Sequence, residues 1–271
     1  MVKFMGKQLP SFMEKPVPSF IVVMIVSFIV CNVIAMILSP IFDFMGPVNK
    51  IVPGLVVGAI IAALLYIYVY KVKGFFSFNK FVLAFILACP LLLFIIVSIF
   101  DNNLAIPAMD TLLIGILLGL GPGVSEEILF RGILISHLMK FFRNSKGIYG
   151  ILIFSALLFG LVHITNAFVG APLDTSIFQA FYTFAMGIIM GALYLRTGNI
   201  WVPMIIHSLV DIIGISFFND TSIIIHAGFV FDTVNILTII VSILCIILGL
   251  YYVRSSKHDE ILKLWEEKWA N

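Results

Sequence analysis

The sequence predicts an all-α polytopic membrane bundle of about eight transmembrane helices with both termini in the cytoplasm, and three observations carry that prediction. Hydrophobic residues make up 62% of the 271 residues and charged ones only 11%, against roughly 25% charged in a soluble domain. A soluble fold of this length would need a polar surface that these residues cannot cover. The apolar residues also fall in runs of about 20, the length an α-helix needs to cross the hydrocarbon core. Finally, Lys and Arg gather in alternate connecting segments, as the positive-inside rule requires.

The expected spans, in order, are 19–42, 51–70, 81–100, 111–142, 148–168, 177–196, 200–218 and 234–254. Lys3, Lys7 and Lys15 precede the first, while Lys71, Lys73 and Lys80 follow the second. Lys140, Arg143 and Lys146 follow the fourth, Arg196 the sixth, and Arg254, Lys257, Lys263 and Lys268 the eighth. The loops at 101–110, 166–176 and 219–233 hold no Lys or Arg, only Asp101, Asp110, Asp174, Asp220 and Asp232; Lys50 is the one minor exception. The run from Phe20 to Leu38 is too long for a signal-peptide core, and no small-residue cleavage site follows it. The fourth span is interrupted by Gly121-Pro122-Gly123, which predicts a short helix, a break, and a second helix from Val124 to Phe142. Residues 1–254 read as one transmembrane domain. In the 255–271 tail, Ile261, Leu264, Trp265 and Trp269 recur at helical spacing among charges. That pattern fits an amphipathic helix at the cytoplasmic interface with its tryptophans at headgroup level, or a solvated helix.

Ionisable residues inside apolar spans carry the functional argument, because a charge at the bilayer centre costs about 2.5–3.5 kcal/mol even on the lowest scale. Glu126, Glu127 and Arg131 fall in the fourth span, His163 in the fifth, and His207 and Asp211 in the seventh. Glu127 and Arg131 are four apart and can pair along one helix face, as can His207 and Asp211. Counted from the cytoplasmic end of each helix, the carboxyls and imidazoles lie about 12 to 24 Å deep, so one shared pocket is reasonable. Two adjacent carboxyls, two imidazoles and a further carboxyl suit hydrolysis: a carboxylate takes a proton from water, and imidazoles bind a metal or meet an oxyanion. Arg131 can neutralise Glu127, leaving Glu126 as base. A structural ion pair, an interhelical histidine and a mutually bonded His–Asp pair explain these features one at a time; together they point to function.

The remaining polar residues have simpler readings. His137 near a helix end, His226 in an outer loop and His258 in the tail fit solvated roles, and Asn166 and Asn199 fit helix capping. Tyr66, Tyr68 and Tyr70 fit an interfacial aromatic belt, and Gly187 and Gly191 fit close helix packing. Cys31, Cys89 and Cys245 fit buried packing without a disulfide framework. The net charge of +2 gives no pointer to nucleic acid, and none is expected as a partner.

Ser125-Glu126-Glu127-Ile128-Leu129-Phe130-Arg131 resembles the E-E-x-x-x-R motif of the CAAX-protease and bacteriocin-processing family of intramembrane endopeptidases. Phe159 to His163 resembles its F-x-x-x-H motif, and His207 to Asp211 its H-x-x-x-N/D motif. The resemblance covers 111–218 and implies a helical membrane protease, in a bacterial cell membrane, with a cavity open to the cytoplasm. It implies a peptide or protein substrate cleaved near the membrane surface, with Glu126 as water-activating base beside His163. His207 and Asp211 would stabilise the tetrahedral intermediate or, with His163, bind a divalent metal such as zinc, which would make it a metalloprotease. There is no H-E-x-x-H, so a soluble zincin-type arrangement is excluded. The eukaryotic prenyl-protein proteases of this family have Asn at the last position. An ionised Asp211 cannot donate to an oxyanion, which favours metal binding or orientation of His207 through its second ring nitrogen. That departure leans towards the bacterial branch, with peptide-pheromone or bacteriocin processing and self-immunity as tasks. A silent membrane scaffold or bacteriocin-immunity protein using the same cavity, and a transporter with a carboxyl proton relay, are the competing readings; no inverted repeat supports the transporter.

A tag or single reporter cysteine placed in 166–176 is expected to label only from the non-cytoplasmic side. Cytoplasmic labelling there would overturn the orientation.

Overall fold

A computed structural model describes residues 3–4, 7–8, 11–46, 49–101, 109–217 and 228–270. Apart from a short antiparallel pair, β1 (Lys3–Phe4) with β2 (Lys7–Gln8), the described chain is helical. The helices are α1 (Pro16–Leu38), α2 (Val52–Tyr70), α3 (Phe81–Ala88), α4 (Leu92–Asp101), α5 (Met109–Glu127), α6 (Ser136–Phe141), α7 (Ser145–Ile164), α8 (Leu173–Thr197), α9 (Trp201–Phe217), α10 (Thr233–Tyr252) and α11 (His258–Trp269). α3 and α4 form one crossing joined by a 3₁₀ turn, and α5 and α6 another joined by a π-helical stretch, Ile128–Ile135. Among the described residues seven helical segments are long and apolar enough to cross a membrane, and Trp201–Ser216 is a shorter apolar helix. The chain is thus an all-α, multi-pass membrane bundle. Its outer faces are apolar, as in Met36 on α1, Val82 on α3 and Ile247 on α10, all well exposed. Hydrocarbon, not water, is the solvent such a surface matches.

Helix α8 is the axis of the bundle, with every residue from Ala185 to Thr197 buried. A helix apolar on all sides belongs at the centre. One apolar cluster joins it to α1, α2, α6, α7 and α11, and a second joins it to α3, α4, α9 and α10. Without water to drive helices together, association rests on close packing between small residues. A Cβ on Gly187 would come within 2.9 Å of Ala156 Cα, and one on Gly58 within 2.6 Å of Cys31 Cα. The same device is most extended between antiparallel α5 and α9. Cβ atoms on Gly115, Gly119 and Gly123 would strike Ser216 Oγ at 2.0 Å, Ile212 N at 2.4 Å and Ser208 Oγ at 2.2 Å.

This seam corrects the expected break at Gly121-Pro122-Gly123. α5 runs through all three residues. Their glycines serve packing: Gly123 admits α9, and Gly121 admits Val52, whose Cγ1 would lie 2.0 Å from an added Cβ. Pro122 removes one N–H from the ladder, and Ser125 donates its hydroxyl to Gly121 O at 2.7 Å one turn on. The irregularity comes later, in the π-helical stretch, the form in which helices commonly deform at functional sites.

Several side-chain expectations also change. Tyr66 and Tyr70 are buried, only Tyr68 points outward, and His137 is fully buried between them. The His137 ring takes Ser19 Oγ at 2.9 Å and Tyr66 Oη at 3.5 Å. These groups, with Tyr70 Oη at 3.2 Å from Ser19 Oγ, satisfy one another between helices. An imidazole with such partners needs no water. Cys89 is exposed while Cys31 and Cys245 are buried, and all three are free thiols. Trp265 sits inside the protein and not among headgroups. α8 ends with unpaired carbonyls, and the indole Nε1–H donates to Leu195 O at 3.0 Å. Arg196 reaches Tyr252 O at 2.8 Å and Glu260 at 3.3 Å, and Lys80 meets Glu260 at 2.8 Å. Lys80 foremost, then Arg196, holds the Glu260 carboxyl below its ordinary range. Lys268 donates to Gly74 O at 2.6 Å, and burial pushes its ammonium down to about 8. His258, expected to be solvated, is buried against Val253 O at 2.9 Å. His226 and Asp220 lie outside the described residues.

Gly119→Val is expected to wedge α9 from α5 and cost about 1–3 kcal/mol in detergent unfolding, as overpacking does. Gly214→Ala, whose Cβ meets nothing within 4 Å, is the control that stays near wild type.

Candidate active site

Where the α5–α9 seam ends, Glu127 of α5 meets His207 of α9. Glu127, the last residue of α5, is fully buried. Its Oε1 accepts from Arg131 Nη1 at 2.8 Å and lies 2.8 Å from His207 Nδ1. A buried carboxylate in a low-dielectric interior needs such partners, since an unpaired one costs several kcal/mol. One carboxylate oxygen thereby ties α5, the π-helical stretch and α9 together.

The opposite nitrogen of the His207 ring faces the other two carboxyls of the cluster. His207 Nε2 lies 3.5 Å from Asp211 Oδ2 and 3.9 Å from Glu126 Oε2. Glu126 and Asp211 keep about a quarter of their side-chain surface accessible, 27% and 25%, where Glu127 keeps none. Glu126 Oε2 has no hydrogen-bond partner among the described residues. Glu127 Oε2 likewise has none, so the adjacent carboxylates differ in two things: Glu127 Oε1 is held by Arg131 and His207, and only Glu126 keeps accessible surface.

His163 enters from α7. Its Nδ1 lies 2.8 Å from Phe159 O, one turn back, so Nδ1 is the donor and Nε2 keeps its lone pair. The ring is within electrostatic reach of His207, Asp211 and Arg131. Beneath all of these lies Phe159, fully buried. Its ring centroid is 5.1 Å from that of His163 and 5.8 Å from that of His207, both edge to face. Arg131 Cζ sits 4.4 Å over the same ring, a cation–π contact worth about 2 kcal/mol when desolvated.

The structure brings Glu126, Glu127, Arg131, His163, His207 and Asp211 into one cluster. It also reassigns the orienting contact of His207. The sequence pattern favours Asp211 either as a metal ligand or as the residue that orients this ring through its second nitrogen. Glu127 does so instead, at the shorter distance, and Asp211 shares the exposed side with Glu126. Phe159 has no role predicted from sequence beyond its place in a motif; its position four residues before His163 is the available signal. Ser208, next to His207, is not foreseen either; its buried Oγ has no partner among the described residues.

For a divalent metal, the donor chemistry is suitable but the convergence is not. Both imidazoles engage Nδ1 with protein oxygen and leave Nε2 free, the usual arrangement of metal-bound histidines. Yet no three His, Cys, Asp or Glu side chains come together at ligand spacing among the described residues. The group does not fit the side chains as placed, and no step below is routed through it.

Residues 107–213 match the family model described as type II CAAX prenyl endopeptidase Rce1-like. No curated protein and no solved structure matches the chain.

Arg131→Met is expected to lower stability by about 3–5 kcal/mol, the usual cost of stripping one partner from a buried pair. The double variant Glu127→Gln/Arg131→Met recovers part of that loss. Denaturant titration in bicelles measures both, and a wild-type midpoint for Arg131→Met would rule out a structural role for the pair.

Proposed function

We propose that this protein, whose residues 107–213 match the family model of Rce1-like type II CAAX prenyl endopeptidases, is an intramembrane endopeptidase that cleaves membrane-associated peptides near the cytoplasmic face with water activated by Glu126. The observation that carries the reading is the division between neighbouring carboxylates. Glu127 is spent on Arg131 and His207, while Glu126 keeps 27% of its side chain accessible and holds its Oε2, buried and without a hydrogen-bond partner among the described residues, 3.9 Å from His207 Nε2.

In the proposed cycle a water oxygen attacks the scissile carbonyl carbon while its proton passes to Glu126. The carbonyl oxygen becomes an oxyanion, and His207 as an imidazolium, set among the carboxylates of Glu127, Asp211 and Glu126, meets it with Nε2–H while Nδ1–H stays on Glu127. His163, whose N–H is given to Phe159 O, lines the site beside it. An ionised Asp211 cannot donate; from 3.5 Å its negative charge favours the protonated form of His207. Glu126 then returns the proton to the amide nitrogen as the C–N bond breaks. Arg131 works from below by keeping Glu127 charged and fixed, so that His207 does not move during the reaction.

The test is cleavage of a panel of membrane-anchored peptides by purified protein. Glu126→Gln keeps the shape of the side chain and removes the base. It is expected to lower turnover by about 10²–10⁴, the usual contribution of a positioned base, with peptide binding retained; His207→Ala loses turnover too. Equal cleavage by wild type and Glu126→Gln would refute the mechanism. Equal binding without cleavage by every form would replace it with the silent scaffold.

A further inference from the structure

We propose a binding site for one anionic glycerophospholipid on the outer face of the bundle, away from the carboxylate–histidine cluster. An open groove of about 440 Å³ runs between α1, α6 and α7. Its walls are carbon: Phe20 on α1, Leu138 and Phe142 at the end of α6, and Phe154 on α7. Phe20 and Phe154 meet edge to face at 5.7 Å across its floor. Gly150 leaves it open, since a Cβ there would meet no atom within 4 Å. In a membrane-spanning bundle such a groove faces lipid, and a hydrocarbon chain fills it with no loss of hydrogen bonds.

The mouth of the groove decides which lipid. Pro16 opens α1 and Gly147 lies in the first turn of α7, so two helix N-termini lie there side by side. Each carries partial positive charge. Cations flank the lining residues directly in the chain: Lys15 precedes Pro16, Arg143 follows Phe142 and Lys146 precedes Gly147. Neighbouring Cα atoms are about 3.8 Å apart, so all three charges stand at the rim. All three are exposed, and none forms an ion pair among the described residues. Lys140 is different: its ammonium lies over the Tyr70 ring at 4.7 Å. Glu14 is the acidic neighbour, and the rim keeps net positive charge. A chain-sized apolar groove ending under clustered cations matches an acyl tail joined to a phosphate. A free phosphate would use only the rim, and a neutral lipid only the groove.

The site is independent of proteolysis, and its test reads binding alone. Delipidated protein in detergent micelles is titrated with dioleoyl phosphatidylglycerol, dioleoyl phosphatidylcholine, glycerol phosphate and a farnesylated peptide, with adducts counted by native mass spectrometry. Wild type is expected to hold one phosphatidylglycerol about tenfold or more tighter than phosphatidylcholine. Arg143→Gln/Lys146→Gln is expected to erase that preference, at roughly fivefold per cation, without loss of phosphatidylcholine. Gly150→Leu is expected to weaken both lipids, with circular dichroism and gel-filtration profile unchanged; if it fails to fold, the exposed charge pair alone decides the test. Equal affinity of wild type for the two lipids overturns the proposal. So does glycerol phosphate binding as tightly as the lipid, or a farnesylated peptide that phosphatidylglycerol cannot displace.

Discussion

The close approach of α5 to α9 is the constraint on which the rest of the site depends. Three glycines at four-residue spacing, Gly115, Gly119 and Gly123, bring the two backbones to within reach of each other's side-chain stubs. Continue one turn along α5 and the residue is Glu127, facing the turn of α9 that carries His207. At an ordinary interhelical distance of 8–10 Å the two helices would sit further apart, and the 2.8 Å contact between Oε1 and Nδ1 would be hard to make. The chemistry at the end of the seam is therefore set by what is absent along it.

That geometry explains why two adjacent glutamates coexist in a low-dielectric interior. Both cannot stay charged unless cations or hydrogen-bond donors compensate them. The fold meets this requirement unevenly. Arg131 and His207 both converge on one oxygen of Glu127, and Phe159 supplies a ring face for the guanidinium. Glu126, one residue earlier on α5, takes no part in that convergence: its Oε2 lies 3.9 Å from the opposite nitrogen of His207, and about a quarter of its side chain stays accessible. A helix rotates each successive residue by about 100°, so neighbours cannot share an environment. The pair reads as duplication in the sequence and as specialisation in the fold.

Most of the architecture was legible because hydropathy constrains a membrane chain so strongly. All eight expected spans correspond to helical crossings or to the shorter α9, with ends displaced by a few residues. The pairings Glu127–Arg131 and His207–Asp211 followed from i,i+4 spacing alone. What escaped were features set by partners distant in sequence. Glycine and proline in a row read as a break, because nothing local says that Ser208 and Val52 press against those positions. Tyr66 and Tyr70 read as interfacial, and His137 as solvated, because their neighbour Ser19 is far away in the chain. The Glu127–His207 contact is of the same kind: periodicity places two groups on one face, but which faces meet is a tertiary fact.

The tail shows the same limit from the other side. Its amphipathic pattern is equally consistent with a headgroup layer, with water and with protein, since each offers one polar and one apolar surface. The unpaired carbonyls at the end of α8 are what distinguish them. A headgroup layer could solvate Leu195 O only with water or lipid, whereas Trp265 covers it with an indole N–H and excludes water with the same ring. Asn199, in the turn just beyond, caps α9 at Val202 N and bonds Asn79 O. Docking α11 against this corner thus restrains the turn from which α9 departs, and α9 carries His207 and Asp211. A helix with no residue in the cluster thereby helps hold the site's geometry, because the ring that must stay still is mounted on the helix whose start α11 secures.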